Sequence, residues 1–203
     1  MQTEAGTPLS PSTRPSRVTR RGSIGVLVLV AVIGYALDQS TKAWAVSALT
    51  PGEPKELVGS LLRLRLTFNP GAAFSIATNA TWVLTIIATA VIAFTIFSAR
   101  KLRSRVWALG LGLLIGGALG NLTDRFLREP SFAKGHVVDF LELPHWPIFN
   151  VADICVVSAA CLIALLSIRG IGLDGSRLES SGTNAESTAD MKTDAKNEAD
   201  TDE

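Results

Sequence analysis

Two acids hold the chemistry this chain is best equipped to do. Asp139 stands in Gly135-His136-Val137-Val138-Asp139-Phe140, and Asp153 in Phe149-Asn150-Val151-Ala152-Asp153. The second block runs straight into the apolar stretch Ile154 to Ile168. A carboxylate beside or inside a membrane span is costly unless paired, solvated or protonated. It therefore reads first as a functional group and second as a polar contact between helices. Two carboxylates brought close at low dielectric do not both ionise easily: one keeps a proton and the other stays charged. That division suits hydrolysis, with one acid taking a proton from water and the other donating to a carbonyl. Such a pair titrates as a unit.

Other polar residues fall at the same depth. Asp38 and Lys42 lie near the end of the first apolar run, and Asn121, Asp124 and Arg125 close the third. Asp38 and Lys42 are i and i+4, so they share a helix face; they either seal the helix end or face a substrate. By topology alone Asp124 could replace Asp139 in an acid pair. A serine nucleophile is the competing chemistry. Ser40 and Lys42 are only two apart and point to different sides of a helix, which disfavours that pair, while Ser75 with a distant lysine stays open. His136 and His145 stand alone, without metal-ligand spacing, and no cofactor is implied. Cys155 and Cys161, six apart on one helix, face different ways and read as small apolar packing residues.

The elements that must position these groups are membrane spans. The chain has 203 residues, 47% hydrophobic and 18% charged, with a net charge of +1. That length suits one domain, and the near-neutral charge argues against nucleic acid as a partner. Apolar runs near the length that crosses a bilayer, roughly 20 residues, lie at about Ser23–Ala48, Trp82–Ala99, Val106–Leu122 and Asn150–Ile168. Arg14, Arg17, Arg20 and Arg21 precede the first run, Arg100, Lys101, Arg103 and Arg105 follow the second, and Arg169 follows the fourth. Basic clusters mark the cytoplasmic side, so both termini are placed there. The first run is too long for the apolar core of a cleaved signal, and three more follow it.

Between the first two runs, Leu62-Arg63-Leu64-Arg65-Leu66 alternates as a strand with one apolar face does, and Asn69-Pro70-Gly71 marks a turn. Gly116, Gly117, Ala118 and Gly120 permit close helix packing in lipid. The expected fold is mainly α: a four-transmembrane-helix bundle with a small extracytoplasmic β-sheet and a short amphipathic outer loop segment. Residues 1–21 are expected as a disordered basic tail, 22–170 as the four-span domain, and 171–203 as a disordered acidic tail.

Five blocks, in order, resemble the lipoprotein signal peptidase (signal peptidase II) family. They are Asp38-Gln39-x-x-Lys42, Asn69-x-Gly71-Ala72-Ala73-Phe74-Ser75, Gly116-Gly117-Ala118-x-Gly120-Asn121-x-x-Asp124-Arg125, Gly135 to Phe140, and Phe149-Asn150-x-Ala152-Asp153. Together they cover roughly Tyr35 to Cys155. The resemblance implies a membrane aspartic endopeptidase that cuts prolipoproteins before a diacylglyceryl-modified cysteine. It implies Asp139 and Asp153 as the catalytic pair, with Asp139 preferred over Asp124, which Lys42 and Arg125 are expected to neutralise. Asn69, Gly71, Ala72, Asn121, Arg125, Asn150 and Ala152 are implied in binding substrate or orienting the pair. Asp38, Lys42 and Asp124 are implied as supports.

The resemblance also implies inhibition by globomycin and a place in the bacterial cytoplasmic membrane; the chain is expected to be a monomer, with its active site at the extracytoplasmic face. Both tails and the segment Arg128 to Lys134, readable as a lid or a passive insertion, depart from the family pattern. The alternative is a non-enzymatic membrane protein, a small transporter or a factor that grips a signal peptide without cutting it. A transporter wants polar groups at the midplane, whereas here they gather at one edge.

Overall fold

In lipid every backbone polar group must be satisfied within the protein, which makes each long apolar run a helix. The computed structural model describes residues 20–71 and 81–177, and four of its helices are long and apolar enough to cross a membrane. They are α1 (Arg20–Ala48), α2 (Thr81–Ser98, continued by a 3-10 turn Ala99–Lys101), α3 (Arg105–Leu127) and α4 (Val151–Ile168). Ser104 caps α3 by accepting from the Trp107 amide, and Asn150 caps α4. α3 is the central helix and touches each of the other three.

Small residues on α3 let its neighbours approach. A methyl added at Gly116 would press on the backbone of Ala31 in α1, and one at Gly117 on Ala152 and Cys155 of α4. Cys155 is buried at that seam and Cys161 is exposed. Leu27, Ala31, Leu102, Ala108, Leu111 and Ile115 form the apolar core at the basic end of the bundle.

At the other end sits a three-stranded antiparallel sheet in the order β1 (Lys55–Val58), β2 (Leu62–Asn69), β3 (Val137–Glu142). Its register pairs Thr67 with Asp139 and Asn69 with Val137. The sheet rests on the end of α1 through Ala45, Leu49, Leu66, Val138 and Phe140. Trp44 meets the Phe140 ring edge-on.

Several boundaries differ from the sequence reading. α1 begins at Arg20, three residues early. α3 continues to Leu127, so Asp124 and Arg125 lie on the helix rather than after it. Asp139, expected in an outer loop, lies on strand β3. Residues 171–177, expected as part of a disordered tail, fold back on the turn between α2 and α3. The Leu173 carbonyl accepts from both Arg103 N and Ser104 N at 3.0 Å, and Ile171 pairs with Arg177. Leu173 also packs against the apolar core, which is what holds the segment.

Candidate active site

The polar residues of α1, α3 and α4 meet around one ammonium. Lys42 Nζ lies 2.9 Å from Asp38 Oδ2, 2.9 Å from Asp124 Oδ2 and 2.9 Å from Asn121 Oδ1. An ammonium has three protons, and all three are used. Lys42 and Asp38 are completely buried. Asp38 Oδ1 accepts from the Ala152 amide at 2.9 Å, one of the α4 N–H groups without a partner inside its own helix. Gly120 makes room for this: a methyl there would collide with the Asp38 carboxylate. The Asp38–Lys42 pair thus ties three helices together rather than closing one helix end.

Asp124 is used up in the same knot. Besides Lys42, it accepts from Arg128 Nε at 2.6 Å and from the Val138 amide at 3.2 Å. The arginine that pairs with it is Arg128, the C-cap of α3 four residues on, and not the expected Arg125. With both oxygens committed, Asp124 is a poor candidate for chemistry. Arg125 instead acts electrostatically on Asp139 and Asp153 as well as on Asp124. Among the described residues its buried Nη1 has no hydrogen-bond partner.

Asp139 is only 2% exposed. Asn69 Nδ2 donates to its Oδ2 at 2.8 Å, and Asn150 Nδ2 to its Oδ1 at 2.7 Å. Burial pushes its carboxyl up to about 7; the charge of Asp153 adds to that rise, while the two amides and Lys42 oppose it. Asn69 is itself oriented by Gly71, whose amide donates to Asn69 Oδ1 at 2.8 Å. Gly71 has φ 109°, a conformation suited to glycine.

Asp153 is half-buried in the first turn of α4, where the helix dipole favours negative charge. It forms a capping box with Asn150: Asp153 N donates to Asn150 Oδ1 at 3.0 Å, and Asn150 N to Asp153 Oδ2 at 3.1 Å. Asn121 Nδ2 donates to Asp153 Oδ1 at 2.9 Å. One residue, Asn150, therefore holds both acids, Asp139 by its side chain and Asp153 by its backbone.

The structure thus gathers Asp38, Lys42, Asn69, Asn121, Asp124, Arg125, Asp139, Asn150 and Asp153 at one end of the bundle. Ala152 and Asn150, which the sequence reading put among the substrate-binding residues, are fully buried and occupied. Asn150 bonds Asp139 and Asp153, and the Ala152 amide bonds Asp38. Ala72 lies outside the described residues, as does Ser75. Ser40 is exposed while Lys42 is buried and fully bonded, so the two do not form a nucleophile pair. Arg128 and Gln39, which bonds both Asp38 Oδ2 and the Gly120 carbonyl, were missed. The i, i+4 spacing of Asp124 and Arg128 was the available signal.

The segment Arg128 to Lys134 folds over the end of α3: Phe132 stacks on Phe126, and Thr85 of α2 donates to the Ala133 carbonyl at 2.9 Å. Gly135 follows under tight packing, where a methyl would meet the backbone of Asp124 and Arg128.

Comparison with known proteins places this geometry. The family profile described as "Signal peptidase (SPase) II" matches residues 30–169. The lipoprotein signal peptidase of Leifsonia xyli subsp. xyli is 45% identical over 184 residues, covering 89% of this chain and 85% of that protein. The lipoprotein signal peptidase of Mycobacterium tuberculosis is 49% identical over 170 residues, covering 84% and 81%. A solved bacterial membrane enzyme, determined by the in meso method, superposes with a TM-score of 0.65 at 28% identity, covering 72% of this chain and 94% of that one. The chain is a multi-pass membrane protein, and it belongs to the signal peptidase II family of aspartic peptidases.

Proposed function

We propose that this enzyme removes the signal peptide from prolipoproteins whose cysteine already carries a diacylglyceryl group, cutting the bond before that cysteine. The observation that carries the reading is the shared asparagine: Asn150 bonds one acid through its side chain and the other through its backbone. Asp139 and Asp153 act as the catalytic pair and hold one proton between them. The half-buried Asp153 takes a proton from water, and the hydroxide adds to the scissile carbonyl carbon. The buried, protonated Asp139 gives its proton to the carbonyl oxygen. One hydroxyl of the tetrahedral diol then returns its proton to Asp139 as the carbonyl re-forms, the C–N bond breaks, and Asp153 gives its proton to the leaving amine.

Arg125, whose buried Nη1 has no partner among the described residues, and Asn69, beside the Gly71 turn, bind the substrate backbone. Asn121 and Asn150 keep the acids in place, the Ala152 amide holds Asp38, and Asp38, Lys42 and Asp124 brace the frame. Both termini lie in the cytoplasm and the sheet end faces outward, supported by the basic clusters at the opposite end. The enzyme works as a monomer, and cyclic peptides of the globomycin type compete for the site.

Proteoliposomes holding the full chain and a lipid-modified precursor test this. Wild type frees the signal peptide; Asp139→Asn and Asp153→Asn each lower the rate by about 10²–10⁴-fold while the protein remains folded. Normal turnover in either variant removes that acid from the mechanism. A precursor bound but never cut by wild type favours the gripping factor.

A further inference from the structure

The basic end of the bundle holds a second concave feature, remote from the acids. α2 stands off from the other helices and leaves a groove of about 690 Å3. Val91 and Phe94 of α2, Leu111 and Leu114 of α3, and Ile163 of α4 line it, and Trp107 closes it below. Two of the polar groups along this wall are already bonded. Thr95 Oγ1 donates to the Val91 carbonyl at 2.7 Å, and Trp107 Nε1 to the Ile171 carbonyl at 2.9 Å. A water there finds few of the two to four partners it needs. Hydrocarbon fits the wall; water does not.

The chain turns cationic just past the end of α2 that borders the groove. Ser98 lines it, and Arg100, Lys101, Arg103 and Arg105 follow directly, all exposed. Among the described residues none of these four lies within ion-pair distance of a carboxylate; Asp174 acts on Arg103 only from farther away. The Arg100 guanidinium lies 5.1 Å from the centre of the Phe97 ring, which keeps its charge beside the last turn of α2.

We propose that this groove is a binding site for an anionic phospholipid. One acyl chain lies between α2 and α3, and the phosphate sits on Arg100, Lys101 and Arg103. The inference goes beyond the peptidase reading and needs the proposed topology only to name the leaflet, the cytoplasmic one. Charge selects the occupant. A signal peptide would bring its own basic segment against these cations, and a zwitterionic headgroup offers them no net charge. An anionic headgroup gains about five-fold in affinity per nearby cation.

The test uses the full chain in nanodiscs containing photoactivatable phosphatidylglycerol or phosphatidylcholine, with crosslinked residues mapped by mass spectrometry. Phosphatidylglycerol should label groove residues such as Val91 and Leu114 at least ten-fold more than phosphatidylcholine. The triple variant Arg100→Gln, Lys101→Gln, Arg103→Gln should abolish that preference. Ala90→Trp, which fills the groove and leaves the cations in place, should remove the groove crosslinks. Turnover of precursor, carried out by the other end, confirms that each variant is folded. Equal labelling by the two lipids overturns the proposal, and so does a preference that survives the triple variant. Groove labelling undiminished in Ala90→Trp would mean a diffuse surface effect. A rise in labelling when residues 178–203 are deleted would mean that the acidic tail occupies the cations, and would also overturn it.

Discussion

At the scale of single residues, Asp139 is an acid the fold holds at a disadvantage. Its carboxyl is raised from the ordinary 3.8 to about 7, chiefly by burial. Between those values the folded protein holds this proton more tightly than the unfolded chain does. Stability is therefore full below pH 4, falls as pH rises, and has lost about 4 kcal/mol from this group once pH passes 7. Asp139→Asn should flatten that fall, as read by thermal unfolding in detergent between pH 4 and 8; an unchanged slope would place its source elsewhere. In the proposed mechanism the same group sets the alkaline side of catalysis. As the proton donor it is competent below about pH 7, so turnover declines above that value. Asn69 donates to the charged form and holds the value down. Asn69→Leu should therefore move the alkaline midpoint to higher pH, whatever it does to the maximal rate. A midpoint that moves to lower pH would contradict this assignment.

At the scale of elements, the site depends on helices locked by charges in a dry interior. Lys42 joins α1 to α3 through two buried carboxylates. Lys42→Met leaves both acids without their shared cation, which costs about 3–5 kcal/mol for a broken buried pair. The expected result is a large drop in melting temperature with loss of turnover; a variant as stable as wild type would show the knot to be dispensable. Gly120→Ala should act on the same contact, by driving a methyl into Asp38.

How far these elements were legible follows from what each one buries. The spans were plain because lipid-facing helices need only an apolar run of the right length, and the clustering of acids at one edge was plain for the same reason. β3 was not, because nearly all of Val137 to Glu142 is buried on both faces, so the period-two alternation that betrayed Leu62 to Leu66 is missing. The end of α3 was cut short because Asn121, Asp124 and Arg125 read as a polar stop. They continue the helix because Lys42, Asp153 and β3 supply partners from distant parts of the chain. Ala152 was named only by the family motif: its bond to Asp38 is made by a backbone amide, which no side-chain type announces.

At the scale of the whole molecule, the described fold reaches past the family match. The match to the family stops at residue 169, yet the chain continues in contact with the bundle to Arg177. Ile171 and Leu173 supply carbonyls to Trp107 Nε1, Arg103 N and Ser104 N, and Leu173 fills the floor of the core at the basic end. A chain ending after Arg177 should therefore melt like the full-length protein and keep its turnover. One ending after Arg169 strips three donors of their acceptors and removes an apolar side chain from the core. Each donor left without a partner costs about 1–3 kcal/mol if water cannot reach it, and less at this wet end of the bundle. The shorter chain should lose stability while its acids, at the far end, stay intact. Its turnover at low temperature should then match that of the full chain, with the deficit appearing only on warming. Equal melting of the two truncations would mean that residues 170–177 add nothing to the fold, and a loss of turnover in the cold would mean that the two ends of the bundle are coupled.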